Sequence, residues 1–349
     1  MTLTDFPVLV RLSENNPVGF HYADCLKPNG GDLRFRVSGT DAVLPCEIEK
    51  WNTGGESLVW VKVPTLTRGT HLFAYYGWNL APSVNPTQVW DEHFLGVWHL
   101  DAAAGMTTQS DSTQHSATFS VYPDYPNDVV AGANGICGLA VATGQDNKKG
   151  GYNYSDTAKR FSGMSQITVE VWNYWDHDVP LSANREIMAH GNNVGSVDWT
   201  LDEHKAGKLQ LSYKRVSAST GKTNELYASS SSTDAPLLAR NAWNYSAAVV
   251  NNETGWRGAY MNGALLTEYA LDSSRIGQMM NRYSILHLGN SRHDQAYAFV
   301  GLLDEVRISD TVRSAAWLKA THDTIRPNSG FATYSEADKN AQAFIMIIR

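Results

Sequence analysis

Paired carboxylates are the first side chains to examine, because a general acid and a general base must share one cleft to cleave a glycosidic bond. Strand alternation places residues i and i+2 on one face, and Glu47 and Glu49 have this spacing. Cys46 and Ile48 alternate with them and suit the core side, so we predict that the two glutamates form the solvent face of a strand. Two other acidic pairs are adjacent in sequence and are predicted to point to opposite faces: Asp202 with Glu203, and Asp304 with Glu305. The sequence therefore predicts no catalytic residues and no enzyme.

The other residue types that could carry catalysis or hold a metal form no recognised motif. The 11 histidines are scattered, and no Gly-x-Ser-x-Gly, His-Glu-x-x-His or phosphate-binding glycine motif occurs. Cys25, Cys46 and Cys137 include no CxxC pair that could bind zinc. Two alternatives stay open for Cys25 and Cys46: a disulfide, if the chain is secreted, or two small buried apolar residues.

Aromatic side chains in or beside predicted loops remain as candidate ligand-binding groups. A flat aromatic ring packs against the apolar face of a pyranose, while amides and carboxylates bond to its hydroxyls. The candidates are Tyr152, Tyr154, Trp175, Trp199, Trp256 and Tyr297. For each of them the alternative is a surface residue that covers an edge of the core.

Composition and charge restrict the class of protein and its partners. The chain has 349 residues, with 28 basic and 35 acidic side chains and a formal net charge of −7. This balance argues against nucleic acid or an anionic membrane as partner, and no run of 18 apolar residues predicts a membrane span. Charged residues are only 18 % and aromatic residues 11 %, which is typical of β-rich secreted or cell-surface proteins. Met1 is followed by no leader pattern, so we expect that a signal peptide has been removed.

The first 85 residues consist of short β-branched runs separated by turn residues. Examples are Phe6–Leu12, Leu33–Val37 and Ser57–Val63. Asn79–Pro86 contains two prolines and two asparagines, has no periodicity and is predicted to be a linker. Residues 1–85 are therefore predicted to form an accessory β-sandwich domain.

A second series of strand-like runs extends over residues 90–326. It begins at Phe94–Leu100 and ends at Phe299–Ile308, and so many short strands indicate a sandwich or jelly roll. One short helix is predicted near the C-terminal end, over Val312–Asp323, with Asp310 or Thr311 as its N-cap. The predicted fold class is thus all-β.

The last residues, 327–349, are predicted to be a tail with a returning strand. Ala343–Ile348 (AFIMII) is too apolar to stay in water. We therefore expect this run to pair with a sheet.

Residues 92–326 resemble the concanavalin A-like (laminin G-like) lectin/glucanase jelly rolls of bacterial surface and polysaccharide-handling proteins. The segments that carry the resemblance are Gly96–Asp101 with the Asp111-Ser112 turn, Ile167–Trp172, Trp243–Tyr245, Ala259–Gly263, Leu286–Asn290 and Phe299–Ile308. The Glu-x-Asp-x-x-Glu strand of laminarinase-type hydrolases is absent, which favours a binding role. The resemblance implies a jelly roll, whereas the fold itself does not determine function.

The first region resembles an uncharacterised bacterial β-sandwich domain that is commonly found in front of such jelly rolls. The segments that carry this resemblance are Phe6–Val10, Gly31–Phe35, Leu44–Glu49, Val59–Pro64 and Tyr75–Gly77. It implies an accessory domain and no known activity.

Taken with the loop aromatics, the resemblance implies a non-catalytic carbohydrate-binding or adhesive module of a secreted or cell-surface bacterial protein. Its partner would be a glycan or polysaccharide, and neighbouring domains of a larger parent chain are expected. The alternatives are a structural spacer or protein-binding module, and a glycoside hydrolase or polysaccharide lyase on the jelly roll.

The resemblance also implies a structural calcium ion on the convex side of the jelly roll. In this sequence its ligands would be Asp304 and Asp101, together with main-chain carbonyls. Asp304 is predicted to point to solvent because its neighbour Leu303 suits the core. The alternative is that Asp304 pairs with Arg307.

Overall fold

The computed structural model describes residues 2–144, 149–175, 184–191, 197–204, 208–216, 223–229, 239–270, 277–290 and 297–349. Contacts divide the chain into two compact units, Met1–Glu92 with Lys319–Arg349, and His93–Leu318. The described part is mostly strand and contains one α-helix, close to the C-terminus, so the predicted all-β class is confirmed.

The strands and the helix have the following bounds. The N-terminal strands are β1 (Thr2–Leu12), β2 (Arg34–Val37), β3 (Cys46–Lys50), β4 (Ser57–Thr67) and β5 (His71–Tyr75). The next are β6 (Phe94–Trp98), β7 (Thr108–Gln109), β8 (Phe119–Val121), β9 (Val130–Asn134), β10 (Leu139–Thr143), β11 (Tyr152–Ser155), β12 (Gln166–Trp175) and β13 (Arg185–Gly191). They are followed by β14 (Val197–His204), β15 (Lys208–Val216), β16 (Thr223–Ser229), β17 (Trp243–Asn251), β18 (Trp256–Met261), β19 (Ala264–Ala270), β20 (Ile285–Leu288) and β21 (Gly301–Ser309). The chain ends with α1 (Ala315–Ile325), β22 (Ala332–Tyr334) and β23 (Ala343–Ile348).

The first unit contains two antiparallel sheets, with strand orders β1-β4-β3 and β2-β5-β23-β22. The long antiparallel pair β1–β4 buries the alternating residues Phe6, Val8 and Val10 completely, because one face of the pair must be removed from water. The C-terminal segment is part of this unit, since β23 pairs with β5 from Ala343↔Tyr75 to Ile347↔His71. Residues 327–349, which were predicted to be a tail with a returning strand, thus complete a sheet of the first unit.

Glu47 and Glu49 are half-buried rather than fully solvated. Glu47 accepts a hydrogen bond from the indole N–H of Trp90, and Glu49 from that of Trp60, both at 2.7 Å. Each carboxylate therefore satisfies a tryptophan donor.

The second unit contains two eight-stranded sheets. The β12 sheet has the order β19-β18-β17-β12-β21-β10-β9, with β6 also paired to β21, and the β14 sheet has the order β16-β15-β14-β13-β20-β11-β8-β7. Alternate residues of the two sheets meet in one buried cluster, to which β12 contributes Ile167, Val169 and Val171, and β14 contributes Trp199 and Leu201. Positions between these residues lie on the opposite face of each sheet. Thr168, Glu170 and Trp172 on that face of β12 are also buried.

A β-bulge changes the alternation of β21. Glu305 has a positive φ of 48°, and the β12–β21 register shifts between Glu170 and Trp172. Leu303 and Val306 both belong to the core cluster although they are three residues apart, which regular alternation does not allow. Sequence alternation alone therefore misplaces the two acidic residues between them.

The helix begins three residues later than predicted. The Ser314 hydroxyl accepts a hydrogen bond from the Trp317 main-chain N–H at 3.2 Å and serves as the cap, in place of Asp310 or Thr311. No helix in the described ranges is long and apolar enough to cross a membrane.

Candidate functional site

Two aromatic rings lie side by side on the outer face of the β12 sheet, near its edge. Trp256 and Tyr260 are four residues apart on β18, so both project from the face opposite the core. Gly258 lies between them, and a Cβ there would come within 2.8 Å of the Trp256 indole and 3.0 Å of the Tyr260 ring. The missing side chain gives both rings room above the glycine. Tyr260 is only 2 % exposed, so the half-buried Trp256 indole is the accessible ring of this group, here called the β18 platform.

A carboxylate borders the β18 platform. Glu268 lies opposite Gly258 on β19, is exposed, and accepts a hydrogen bond from the Trp256 indole N–H at 2.8 Å. Leu265, opposite Tyr260, is 43 % exposed and extends the apolar area. Burial and the charge of Glu268 raise the pKa of Tyr260, so its phenol keeps a proton to donate. The platform thus combines the Trp256 indole, the exposed Leu265 side chain and one exposed carboxylate.

Three of the six predicted ligand-binding aromatics are buried in strands, and the prediction that they lie on the surface is wrong. Tyr152 and Trp199 belong to the core cluster, and Trp175 is 2 % exposed. The Trp199 indole donates to the Phe161 carbonyl at 2.6 Å, and the Tyr152 hydroxyl accepts from Gln109. Their strand positions face inward, where a large ring fills space between the sheets.

The other three predicted aromatics are half-buried. Tyr154 packs against the core cluster and makes an edge contact with Phe161, so it covers an edge of the core, as the alternative anticipated. Tyr297 precedes β21, and its carbonyl accepts from the Glu186 main-chain N–H at 2.7 Å. Trp256 alone of the six forms part of the β18 platform. Its partners Tyr260 and Glu268 were missed, although the pattern Trp-x-Gly-x-Tyr in WRGAYM already places the two rings on one face.

A second group of polar side chains lies on the face of the β14 sheet opposite the core cluster. Glu186 on β13 lies directly opposite Asp202 on β14, which lies opposite Gln210 on β15. Thr200, two residues from Asp202, donates to its carboxylate at 3.0 Å. All four side chains are at least nine-tenths buried. Sequence analysis missed the pairing of Glu186 with Asp202 because the two residues are neighbours only across strands.

The predicted calcium ligands occupy different environments. Asp304 is completely buried, and its carboxylate accepts from the Cys137 main-chain N–H at 3.0 Å, whereas Asp101 is exposed. The prediction that Asp304 points to solvent is therefore wrong. Arg307 pairs at 2.6 Å with Glu305. Calcium binding stays a prediction, which a melting curve with and without chelator tests.

Three charged side chains are buried together: Glu305 and Arg307 on β21, and His99 directly after β6. Glu305 contacts the His99 ring and the Arg307 guanidinium, each at 2.6 Å. Burial opposes ionisation, but the charges and hydrogen bonds of the two partners hold the pKa of Glu305 below its usual value. Nearby, the Tyr245 hydroxyl donates to Glu170. These groups neutralise one another, and such a network suits a structural role.

Comparison with family models supplies the relationship of each region. Residues 147–319 match the family described as the concanavalin A-like lectin/glucanases superfamily, and residues 29–114 match a domain of unknown function, DUF2341. The resemblance of the first region to an uncharacterised domain in front of the jelly roll is confirmed as well.

Solved structures similar to the chain include three bacterial domains. The binding domain of Paraclostridial Mosquitocidal Protein 1 is 14 % identical (TM-score 0.49), with 67 % of this chain and 52 % of that chain covered. Domain 4 of AbnA, a GH43 extracellular arabinanase from Geobacillus stearothermophilus, in complex with arabinotriose, is 16 % identical (TM-score 0.47), with 65 % and 96 % covered. The Botulinum Neurotoxin serotype G binding domain is 13 % identical (TM-score 0.47), with 66 % and 50 % covered. The chain thus spans about half the length of the first and third structures. A comparison with curated proteins found no match.

Proposed function

We propose that the chain is a non-catalytic carbohydrate-binding or adhesive module of a secreted or cell-surface bacterial protein, and that its glycan rests on the β18 platform. The observation that supports this is the half-buried Trp256 indole, which is bordered by the exposed Glu268 carboxylate. The indole would pack against the apolar face of a pyranose, and the carboxylate would accept from its hydroxyls. The concanavalin A-like domain belongs to a superfamily described as lectins and glucanases, which share sugars as ligands.

The test is titration of the full chain with neutral gluco-, xylo-, arabino- and manno-oligosaccharides by calorimetry. Trp256→Ala should weaken binding at least about tenfold, and Glu268→Gln severalfold, because stacking area and a charged acceptor are lost. Trp243→Ala is the matched control. Trp243 is also half-buried and begins β17, whereas Trp256 pairs with Asn251 at the other end of that strand. Binding to none of the oligosaccharides would favour the alternative of a structural spacer or protein-binding module.

A second candidate function, hydrolysis or elimination on a polysaccharide, rests on the pairing of Glu186 with Asp202. Acid–base chemistry on a sugar needs two carboxylates that meet in one cleft. Glu186 and Asp202 lie opposite each other on neighbouring strands, and both are at least nine-tenths buried. Release of reducing ends from the same oligosaccharides, lost in Glu186→Gln and Asp202→Asn, would support it. Binding without any product in the wild type would leave the non-catalytic proposal standing alone.

A further inference from the structure

A cleft of about 420 Å³ lies on the outer side of the β2-β5-β23-β22 sheet of the first unit. It is lined in part by Arg34, Arg36, Tyr75, Tyr76, Trp78 and Gln342. Arg34 lies opposite Tyr75 in the β2–β5 pair, and Arg36 is two residues further along β2, so both arginines share a face with the Tyr75 ring. The volume falls within the roughly 300–1,000 Å³ of small-molecule sites.

Trp78 is the exposed wall of this cleft. Its side chain is 50 % exposed, which is unusual for so large an apolar residue. Its place is fixed by the preceding Gly77, which has a φ of +73° and donates its N–H to the buried Asp32 carboxylate at 2.7 Å. A Cβ at Gly77 would overlap the side-chain amide of Gln342. Position 77 therefore requires glycine, and its hydrogen bond to Asp32 ties the backbone beside Trp78 to the core of the first unit.

The opposite wall is cationic. The Arg36 guanidinium lies 4.4 Å from the centre of the Tyr75 ring, which stacks on Phe73 at an interplanar angle of 20°. Its acidic partner is Asp41, at 3.5 Å, whose side chain is fully exposed. Exposed pairs of this kind are weak, so a ligand carboxylate could replace Asp41.

Arg34 adds a second positive charge to the cleft. Two of its guanidinium nitrogens donate to the carbonyls of Pro82 and Leu33, which holds the side chain in place. With two arginines and one aspartate, the lining is net positive in a chain of net charge −7.

We propose that this cleft binds a carboxylate-bearing pyranose, that is, a uronate residue of an acidic polysaccharide. The Trp78 indole stacks on the sugar ring, and Arg36 receives the carboxylate, for which a guanidinium has the matching two-donor geometry. This site is separate from the β18 platform and belongs to the unit whose family has no assigned function. It gives the accessory domain a ligand class of its own.

The experiment is calorimetric titration of the full chain with trimers of galacturonate, glucuronate and mannuronate, each compared with its methyl ester. We expect at least one acidic trimer to bind, and its ester to bind at least tenfold more weakly. Trp78→Ala should weaken binding of the acid at least tenfold. Arg36→Gln should remove the discrimination between acid and ester. Leu80→Ala is the control, because this side chain is 80 % exposed two residues away and does not line the cleft.

Three outcomes would overturn the proposal: no acidic trimer binds, acid and ester bind equally, or Trp78→Ala and Arg36→Gln bind as the wild type does. Trp256→Ala separates the two sites, because it should leave uronate binding unchanged. Loss of uronate binding in that variant would assign the acid to the β18 platform instead. Melting curves of each variant establish that a loss of binding is not a loss of fold.

Discussion

His190 is completely buried between two carboxylates in the second unit. Its Nδ1 lies 3.1 Å from Asp198 and its Nε2 3.2 Å from Asp156, and both aspartates also accept main-chain N–H groups. Burial disfavours the imidazolium, but the hydrogen bonds and charges of the two aspartates outweigh it and raise the pKa of His190. Burial also opposes the charge of Asp156, and its hydrogen bonds from His190, Phe161 and Arg160 lower the pKa of that carboxyl.

The raised pKa gives a definite sign to the pH dependence. The contribution of His190 to the free energy of unfolding is complete below about pH 6.5, the unfolded value, and is lost as pH rises through its folded pKa. Asp156 acts in the opposite direction, because its contribution is lost as pH falls below about 3.8.

His190→Gln should lower the free energy of unfolding by about 3–5 kcal/mol at pH 6, because it leaves two buried carboxylates without a cation. The loss should be smaller at pH 9. Chemical denaturation at both pH values measures it, with His21→Gln as control, since the His21–Glu14 pair is exposed. Two results would contradict a buried imidazolium: an equal loss of free energy of unfolding in His190→Gln and His21→Gln, or a loss in His190→Gln that is larger at pH 9 than at pH 6.

Glu203 is a buried carboxyl whose pKa shifts upward, in contrast to that of Asp156. It has no exposed surface, and its burial, only partly offset by Arg185 and Arg240, raises its pKa to about 8. The folded state therefore binds the proton more tightly than the unfolded state, and this stabilisation is lost as pH rises from 4.5 through 8.

We predict that the free energy of unfolding of the wild type falls by about 1 kcal/mol between pH 7 and pH 9, relative to that of Glu203→Gln, whose side chain cannot ionise. Paired urea titrations of the two proteins measure the difference. Glu253→Gln provides a control, because Glu253 is exposed. If the free energies of unfolding of the wild type and Glu203→Gln changed in parallel with pH, Glu203 would ionise normally.

At the scale of elements, the strands of the second unit were predicted well where they are long. Predicted bounds of Ile167–Trp175 and Trp243–Val250 differ by one residue from β12 and β17. Short strands such as β7 and β11 were missed, because two to four residues cannot display a clear alternation. The same limit explains the three buried aromatics: alternation separates two faces of a strand, but it does not tell which face is covered.

β23 carries an alternation with a measurable consequence. Phe344, Met346 and Ile348 are at most 3 % exposed, whereas Ile345 and Ile347 between them are half-buried. Phe344→Ala should therefore cost about 3–5 kcal/mol, and Ile345→Ala clearly less, because only the first leaves a cavity in the core. Deleting residues 343–349 should lower the melting temperature more than either. Equal costs for the two point variants would show that β23 does not pair in this register.

At the scale of the whole chain, composition alone predicted the all-β class, and the turn-rich linker predicted two domains. The sequence pattern did not predict that the C-terminal segment pairs with a sheet of the first unit. An apolar run such as AFIMII shows that a strand needs a partner, but not which sheet supplies it, because the partner is decided by topology. The β18 platform could not be predicted for the same reason. Trp256 was identified in the sequence, but the carboxylate beside it comes from the next strand, and only the strand pairing brings the two together.

Because the first unit is assembled from both ends of the chain, a cut inside it should not release a fragment. Trp78 lies directly before the predicted linker Asn79–Pro86 and Leu80 lies within it, and both are exposed, so chymotrypsin is expected to cleave there before elsewhere. The N-terminal fragment holds β5 and the other fragment holds β23, which pair along five residues. A denaturing gel should then show two fragments, while size-exclusion chromatography shows one species of unchanged size. Leu80→Asp with Trp78→Ala removes the cleavage site and should leave the chain intact for longer. Separation of the fragments without denaturant would mean that the C-terminal segment does not hold the first unit together.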